Sequence, residues 1–208
     1  MEALPRPSLR GVPEIRPYRP ADLAAVYDIC VRTADLGGDA RGRYSTDELM
    51  GDLFAGPYVH LEPDMAFVVD DGGAAVGYVV GTADTATFVK RYRDEWIPLI
   101  GEKYPVPPPP PRTPEQDMVA LHFHPERMIV AELADHPAHL HIDLLPPYQR
   151  RGFGRQLIDA FVRKAQVGVH LGMVTTNVRA RAFYDRVGFT ELPVPDPGPI
   201  TYLGRRAA

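Results

Sequence analysis

The sequence predicts an α/β domain on three observations. The stretch from His139 to Phe189 reads in order as strand, glycine-bearing turn, helix, strand and helix, the pattern of a sheet fed by crossover helices. Upstream, two β-rich runs, Met65–Val69 and Ala75–Val80, flank Asp70-Asp71-Gly72-Gly73, the strongest hairpin signal in the chain. Before them lie two stretches with apolar residues at helical spacing. The 208 residues, 45% of them hydrophobic, suffice for one good core, and no repeat or composition break divides them, so a single domain over residues 1–208 is expected.

The elements follow from local chemistry. Residues 1–13, with Pro5, Pro7 and Pro13, read as an arm leading into a short strand at Glu14–Tyr18. Pro20-Ala-Asp-Leu then opens a helix whose stripe is Leu23, Val26, Tyr27, Cys30 and Val31, with Leu36-Gly37-Gly38 as its end. After a Gly/Arg-rich loop at Gly38–Tyr44, Ser45 or Thr46 caps a second helix with Glu48 in its first turn. That helix is predicted to run through Leu49, Met50, Leu53 and Phe54 to Gly56-Pro57. The hairpin comes next. Residues 82–138 form a long insertion, with an aromatic helix-like stretch at Phe88–Pro105 and the run Pro107–Pro111, which fits surface polyproline II and neither helix nor central strand.

Composition excludes several classes of function. Twenty-three Lys and Arg against 27 Asp and Glu give a net charge of −4, without the basic excess a nucleic-acid binder needs. The single cysteine, Cys30, rules out an internal disulfide and any multi-cysteine metal site; it lies on the first helix's apolar stripe and reads as a core residue. The only serines, Ser8 and Ser45, stand outside any Gly-x-Ser-x-Gly turn, against a serine hydrolase. The opening MEALPRPSLRG has no apolar run, and no stretch of about 18 apolar residues occurs anywhere, so neither export nor a membrane span is expected. A cytoplasmic protein is the expectation.

The chemistry concentrates between His139 and Phe189. In the strand His139–Leu145, alternation puts Leu140, Ile142 and Leu144 on one face, expected to be core, and His139, His141 and Asp143 on the other, expected to titrate. The turn Gln149-Arg150-Arg151-Gly152-Phe153-Gly154 enters a helix with Leu157, Ile158, Phe161 and Val162 as its buried stripe. Glycines let backbone N–H groups approach an anion, the helix N-terminus adds partial positive charge, and Arg150, Arg151 and Arg155 supply charge-assisted donors. A pyrophosphate is the natural guest. The turn lacks the Lys-Ser/Thr of a P-loop, and it lacks the third glycine and later acidic residue of a dinucleotide fingerprint.

With Gln149, Gly152 and Gly154 in this spacing, and Asn177, Ala180 and Tyr184 before Gly188-Phe189, the chain resembles the GNAT superfamily of N-acetyltransferases. Its two signatures are Gln/Arg-x-x-Gly-x-Gly/Ala and Asn-x-x-Ala-x-x-x-Tyr. Trp96–Pro105 and Ile200–Arg205 carry a closer resemblance, to the acetyltransferase-like domain that ends the animal O-GlcNAcases and to its free-standing bacterial relatives. The animal domain is degenerate in the cofactor loop, whereas Gln149–Gly154 is intact, and O-GlcNAc hydrolysis is not expected of these 208 residues.

The resemblance implies a mixed central sheet with splayed parallel strands flanked by helices, and acetyl-CoA as co-substrate without a metal. It implies that Leu144 and Leu145 present strand backbone to the pantetheine and that Gln149, Arg150, Arg151, Gly152, Phe153, Gly154 and Arg155 hold the pyrophosphate. Asn177 and Phe183 would flank the thioester end. Tyr184 would stand near the sulfur and, with an ordinary phenol pKa near ~10, could protonate the leaving thiolate, or simply pack.

An alkyl amine with pKa near ~10.4 must lose a proton before it attacks. Asp143, then His141, are the candidates to take it, the alternative being a hydrogen-bonded buried polar cluster that includes His139. Trp96, Tyr92 and Tyr44 could line an acceptor pocket or pack. His139-x-His141-x-Asp143 or His122-x-His124 could hold a metal, although three ligands on one strand would be cramped. The rival to an enzyme is a silent module that binds acetyl-CoA or a partner. The acceptor, a small-molecule or protein amine, would enter past the Gly38–Tyr44 loop and the insertion.

Overall fold

The computed structural model describes residues 12–207; the expected arm, up to Gly11, lies outside the described residues. Strand β1 (Glu14–Pro17) precedes three helices, α1 (Leu23–Val31), α2 (Glu48–Phe54) and α3 (Gly56–Leu61). The hairpin β2 (Phe67–Asp70) and β3 (Ala75–Thr82) follows. The insertion then folds as α4 (Thr85–Arg91), a π-helical turn at Tyr92–Trp96, α5 (Ile97–Ile100) and α6 (Pro114–Phe123). The C-terminal half is β4 (Ala138–Leu144), α7 (Phe153–Ala165), β5 (Val169–Val174), α8 (Val178–Arg186), β6 (Thr190–Glu191) and β7 (Ile200–Arg205). The strands form one seven-stranded mixed sheet in the order β1-β2-β3-β4-β5-β7-β6.

The only parallel pair among the described strands, β4 with β5, is held at two registers, Ala138 with Val169 and His139 with His170. Beyond them β4 stays laddered to β3 as far as Leu144, opposite Gly77, and β5 stays laddered to β7 as far as Val174, opposite Ile200. Each strand keeps its antiparallel partner, so the sheet opens as a V, the splay that the family resemblance implies.

Both faces of the sheet are buried. Against one lie α7 and Leu157, Ile158, Phe161, Leu171 and Leu203; against the other lie α1 to α4 and the insertion, with Val26, Leu49, Tyr58, Tyr78 and Phe88. The face of β4 expected to titrate is covered as well: His139 is buried, and His141 and Asp143 are half-buried beneath the N-terminal helices. Each large apolar side chain so buried contributes about 1.5–3 kcal/mol.

Two helix ends also differ from expectation. α1 stops at Val31, where the Thr33 hydroxyl donates to Ile29 O at 2.8 Å, and Leu36 and Gly37, both at positive φ, belong to a turn closed by Asp35 and Gly38. Gly56-Pro57 opens α3 instead of ending α2. Proline is tolerated in a helix's first turn, and Gly56 sits where a Cβ would meet Tyr27 and the Trp96 ring.

The insertion is well anchored. Phe88, Tyr92, Trp96 and Ile100 recur every four residues, a spacing that drifts about 40° per step around a 3.6-residue helix, and the wider π turn takes up that drift so all four reach the core. Tyr92 and Trp96 are thus core residues, 4% and 5% exposed, and do not line an acceptor pocket. Buried Asp52 fastens the segment. It accepts from the hydroxyls of Tyr27 and Tyr104, each at 2.7 Å, and from Lys103 Nζ at 3.1 Å, while its carbonyl takes Trp96 Nε1–H at 3.0 Å. Among the described residues no helix is long and apolar enough to cross a membrane.

Candidate active site

The splay exposes backbone. Ala138 N–H donates to Gly168 O beside β5, and Leu145 N–H donates to Val76 O beside β3, so by strand alternation the amides of Ile142 and Leu144 turn toward the open V. Leu144 sits as the sequence suggested, whereas the N–H of Leu145 is engaged by β3 on the other side. Ile142 was missed, because which amides face which neighbour depends on the register of β3. The Leu144 carbonyl is held by Gln149 Nε2 at 2.9 Å, which ties the turn to the strand end.

Past Gln149 the chain bends through two positive-φ residues, Arg150 at 57° and Gly152 at 88°, into α7. The backbone N–H groups from Arg150 to Arg155 donate to no acceptor among the described residues: the first hydrogen bond beyond the turn runs from Gln156 N to Gly152 O. Consecutive free amides at a helix N-terminus make an anion cradle. The cradle is open, since a Cβ on Gly152 would meet nothing closer than Gln156 Nε2 at 3.8 Å. Gly154 serves a different purpose. A Cβ there would stand 3.0 Å from the Phe183 ring, so its absence lets α8 close over the turn.

The three arginines do not act alike. Arg150 projects from an exposed position. Arg151 lies 5.7 Å and 5.5 Å from the ring centroids of Tyr148 and Phe153, a cation–π pair that keeps it at the turn. Arg155, expected to serve a pyrophosphate, donates from Nη2 to Arg186 O at 2.6 Å and so fastens α7 to the end of α8. Phe153 is buried, and what it offers the cradle is its backbone.

Asn177 caps α8, its side-chain oxygen accepting from Ala180 N at 3.1 Å. Two helical turns on, Tyr184 packs against Phe183 and Phe189, with ring centroids 5.2 Å and 5.7 Å away, and its hydroxyl has no partner among the described residues. Burial, then the nearby Asp143 charge, push the Tyr184 phenol above its ordinary pKa, so it keeps its proton at neutral pH.

On the other face of β4, Asp143 lies directly across from Tyr78, whose hydroxyl donates to Oδ2 at 2.7 Å. Burial lifts the carboxyl to about 6 against the pull of the Tyr78 and Thr33 hydroxyls. His141 is held down to about 4, chiefly by burial. His139 uses both ring nitrogens within the protein, on Tyr58 and Thr85, and no three His, Cys, Asp or Glu side chains among the described residues converge as a metal site would require. Cys30, pushed up to about 12 by burial, is a core thiol. Tyr78, which orients Asp143, was not singled out from the sequence; the pairing rests on the register between strands 65 residues apart.

A splayed parallel pair, a positive-φ turn with free amides and a second helix clamped over it form an anion-binding groove at the end of the sheet. The family profile described as "Acetyltransferase (GNAT) domain" matches residues 120–191, the part that contains β4, the cradle and α8. The solved structure of SsHAT is similar throughout, with 57% identity, 95% of this chain and 100% of that chain covered and a TM-score of 0.92. The chain belongs to the GNAT family of N-acetyltransferases. It is also 30% identical over 199 residues to protein O-GlcNAcase of Rattus norvegicus; the match covers 92% of this chain and 22% of that protein, so the chain spans about a fifth of the curated relatives' length. The structure of yncA from Salmonella typhimurium, which holds acetyl-CoA, shares the fold at 14% identity, with 95% of each chain covered and a TM-score of 0.53.

Proposed function

We propose that the protein transfers an acetyl group from acetyl-CoA to a primary amine of a small molecule or a protein, by direct attack on the thioester. The row of free backbone amides from Arg150 to Arg155 carries this reading, because it offers a pyrophosphate more donors than a fold without a ligand needs. Acetyl-CoA supplies the activated acetyl group, and this chain's residues bind and move protons. Ile142 and Leu144 offer strand amides to the pantetheine. Asp143, with a pKa of about 6, is ionised at neutral pH and takes the amine's proton, directly or through water. Tyr78 fixes the carboxylate through Oδ2. As nitrogen bonds to the carbonyl carbon and the carbon–sulfur bond breaks, the Tyr184 hydroxyl donates its proton to the departing sulfur. We place the protein in the cytoplasm, on its lone buried thiol.

Coupled release of CoA thiol and acetylated amine across a panel of polyamines, amino sugars and lysine peptides tests the proposal; acetyl-CoA binding with no acceptor in the panel would favour a silent binding module. With an acceptor in hand, Tyr184→Phe is expected to lower kcat by about 10²-fold while leaving the acetyl-CoA Kd unchanged. An unchanged kcat would make Tyr184 a packing residue.

A further inference from the structure

A buried chain of polar side chains leads away from the site along the sheet face that carries Asp143. His141 Nε2 lies 3.2 Å from Tyr58 Oη, Tyr58 Oη lies 2.8 Å from His139 Nε2, His139 Nδ1 lies 2.8 Å from Thr85 Oγ1, and Thr85 Oγ1 lies 2.7 Å from Pro137 O. We infer that Thr85, His139 and Tyr58 are positioning residues that set the tautomer of His141, so that His141 carries its hydrogen on Nε2 and presents the Nδ1 lone pair as an acceptor for the substrate amine. This inference rests on the acetyl-transfer reading for the identity of the guest, but the tautomer follows from the contacts alone.

The direction of every hydrogen bond is dictated from the far end. A carbonyl only accepts, so at 2.7 Å the Thr85 hydroxyl hydrogen must lie between Oγ1 and Pro137 O; the same carbonyl also takes Thr85 N–H at 2.8 Å. With its hydrogen committed, Thr85 Oγ1 can only accept from His139, which places that imidazole's hydrogen on Nδ1 and a lone pair on Nε2. Tyr58 must then donate to His139 Nε2. The alternative acceptor, Met128 Sδ at 3.9 Å, is a weak thioether and far more distant. Tyr58 Oη, its hydrogen used, can only accept from His141, which fixes the hydrogen on His141 Nε2.

The derivation requires both imidazoles to be neutral. Burial and the nearby Arg127 charge hold both below the ordinary histidine range. His141 Nδ1 has no hydrogen-bond partner among the described residues, yet it is not one of the sealed, unpartnered atoms as His122 Nε2 is. The ring is half-buried between Tyr58 and Phe54, two residues before Asp143 on the same strand face. His141 is therefore placed to accept an N–H from the amine while Asp143 receives the proton, a division of labour that the single strand face His139-x-His141-x-Asp143 makes possible.

Thr85→Val keeps the side chain's shape and the backbone bond to Pro137 O but removes the hydroxyl. His139 is then expected to move its hydrogen to Nε2, Tyr58 to donate to His141, and His141 to switch to the Nδ1–H form. Nitrogen-15 correlation spectra of the imidazoles in the whole protein read this directly. The expected result is His141 protonated at Nε2 in the parent and at Nδ1 in Thr85→Val, with Thr85→Ser restoring the parent spectrum. In turnover, kcat should fall roughly tenfold in Thr85→Val, the worth of one hydrogen bond, with the acetyl-CoA KM unchanged and Thr85→Ser active. A parent protein with His141 protonated at Nδ1, or a Thr85→Val variant whose His141 tautomer does not move, overturns the inference. The spectra need no turnover, so failure to acetylate any amine would count against acetyl transfer and leave the tautomer relay standing.

Discussion

Gly152→Val is expected to weaken acetyl-CoA binding by at least about 10²-fold while the protein still folds. Gly152 stands at φ 88°, the left-handed region, and forms the bend that turns the amides of Arg150 to Arg155 toward one point. A β-branched side chain there must either hold an unfavourable backbone, at a cost of about 1–2 kcal/mol, or relax the bend and scatter the donors. The surroundings do not forbid it, since the nearest atom to a Cβ is 3.8 Å away, so the fold should survive. The effect falls on the ligand, whose pyrophosphate must come against the very backbone that the side chain would cover. Isothermal calorimetry at a temperature where thermal unfolding shows the variant native is the check. Unchanged affinity would remove the turn from the cofactor site.

Asp143→Asn should have the other large effect, and its signature is a pair of opposite changes. Activity is expected to fall by about 10²–10⁴-fold because the proton acceptor is lost, and with it should go the acid limb of kcat/KM expected of the parent near pH 6. Stability moves the other way. The carboxyl has an ordinary pKa of 3.8 when unfolded and about 6 when folded, so between these values the native state holds a proton that the unfolded chain has released. The stability that the neutral form confers is complete below pH 3.8 and is lost as the pH rises through 6. At pH 8 the parent therefore carries a charged, half-buried carboxylate that the amide variant lacks. The variant should unfold at higher temperature there, by on the order of 2 kcal/mol of added stability, and the gain should vanish toward pH 4. The amide oxygen can still accept from Tyr78, so the contact at Oδ2 is retained. An acid limb that persists in the variant would move the base elsewhere, with His141 next in line.

The C-terminal half was legible in the sequence because its chemistry is local. The α7 stripe of Leu157, Ile158, Phe161 and Val162 and the anion-binding character of the Arg150–Arg155 turn each depend on residues a few positions apart, as does the hairpin turn upstream. The burial of β4's polar face was legible only as one of two alternatives. It is covered by α1 to α4, whose contact with the strand is fixed only by the tertiary fold. For the same reason Tyr78 and Tyr58 escaped notice, lying 65 and 83 residues from the groups they hold, Asp143 and His141. The tie from Arg155 to α8 was not legible, because sequence shows a charge beside an anion loop and not the Arg186 carbonyl within its reach. The insertion is an intermediate case: its four-residue aromatic spacing was visible, but the spacing is neither an α nor a β period, and only the π turn makes sense of it.

The central claim is that the open V between β4 and β5, closed at its mouth by free amides, is built for acetyl-CoA. Calorimetry of the purified chain with acetyl-CoA, with CoA and with a nicotinamide dinucleotide as control, paired with thermal unfolding, tests it most directly. Saturable one-to-one binding of acetyl-CoA is predicted, with the dinucleotide inert and native-state stabilisation of about 2.7 kcal/mol at a hundredfold excess over Kd. Neither heat nor a shift in unfolding temperature with acetyl-CoA at millimolar concentration would contradict it.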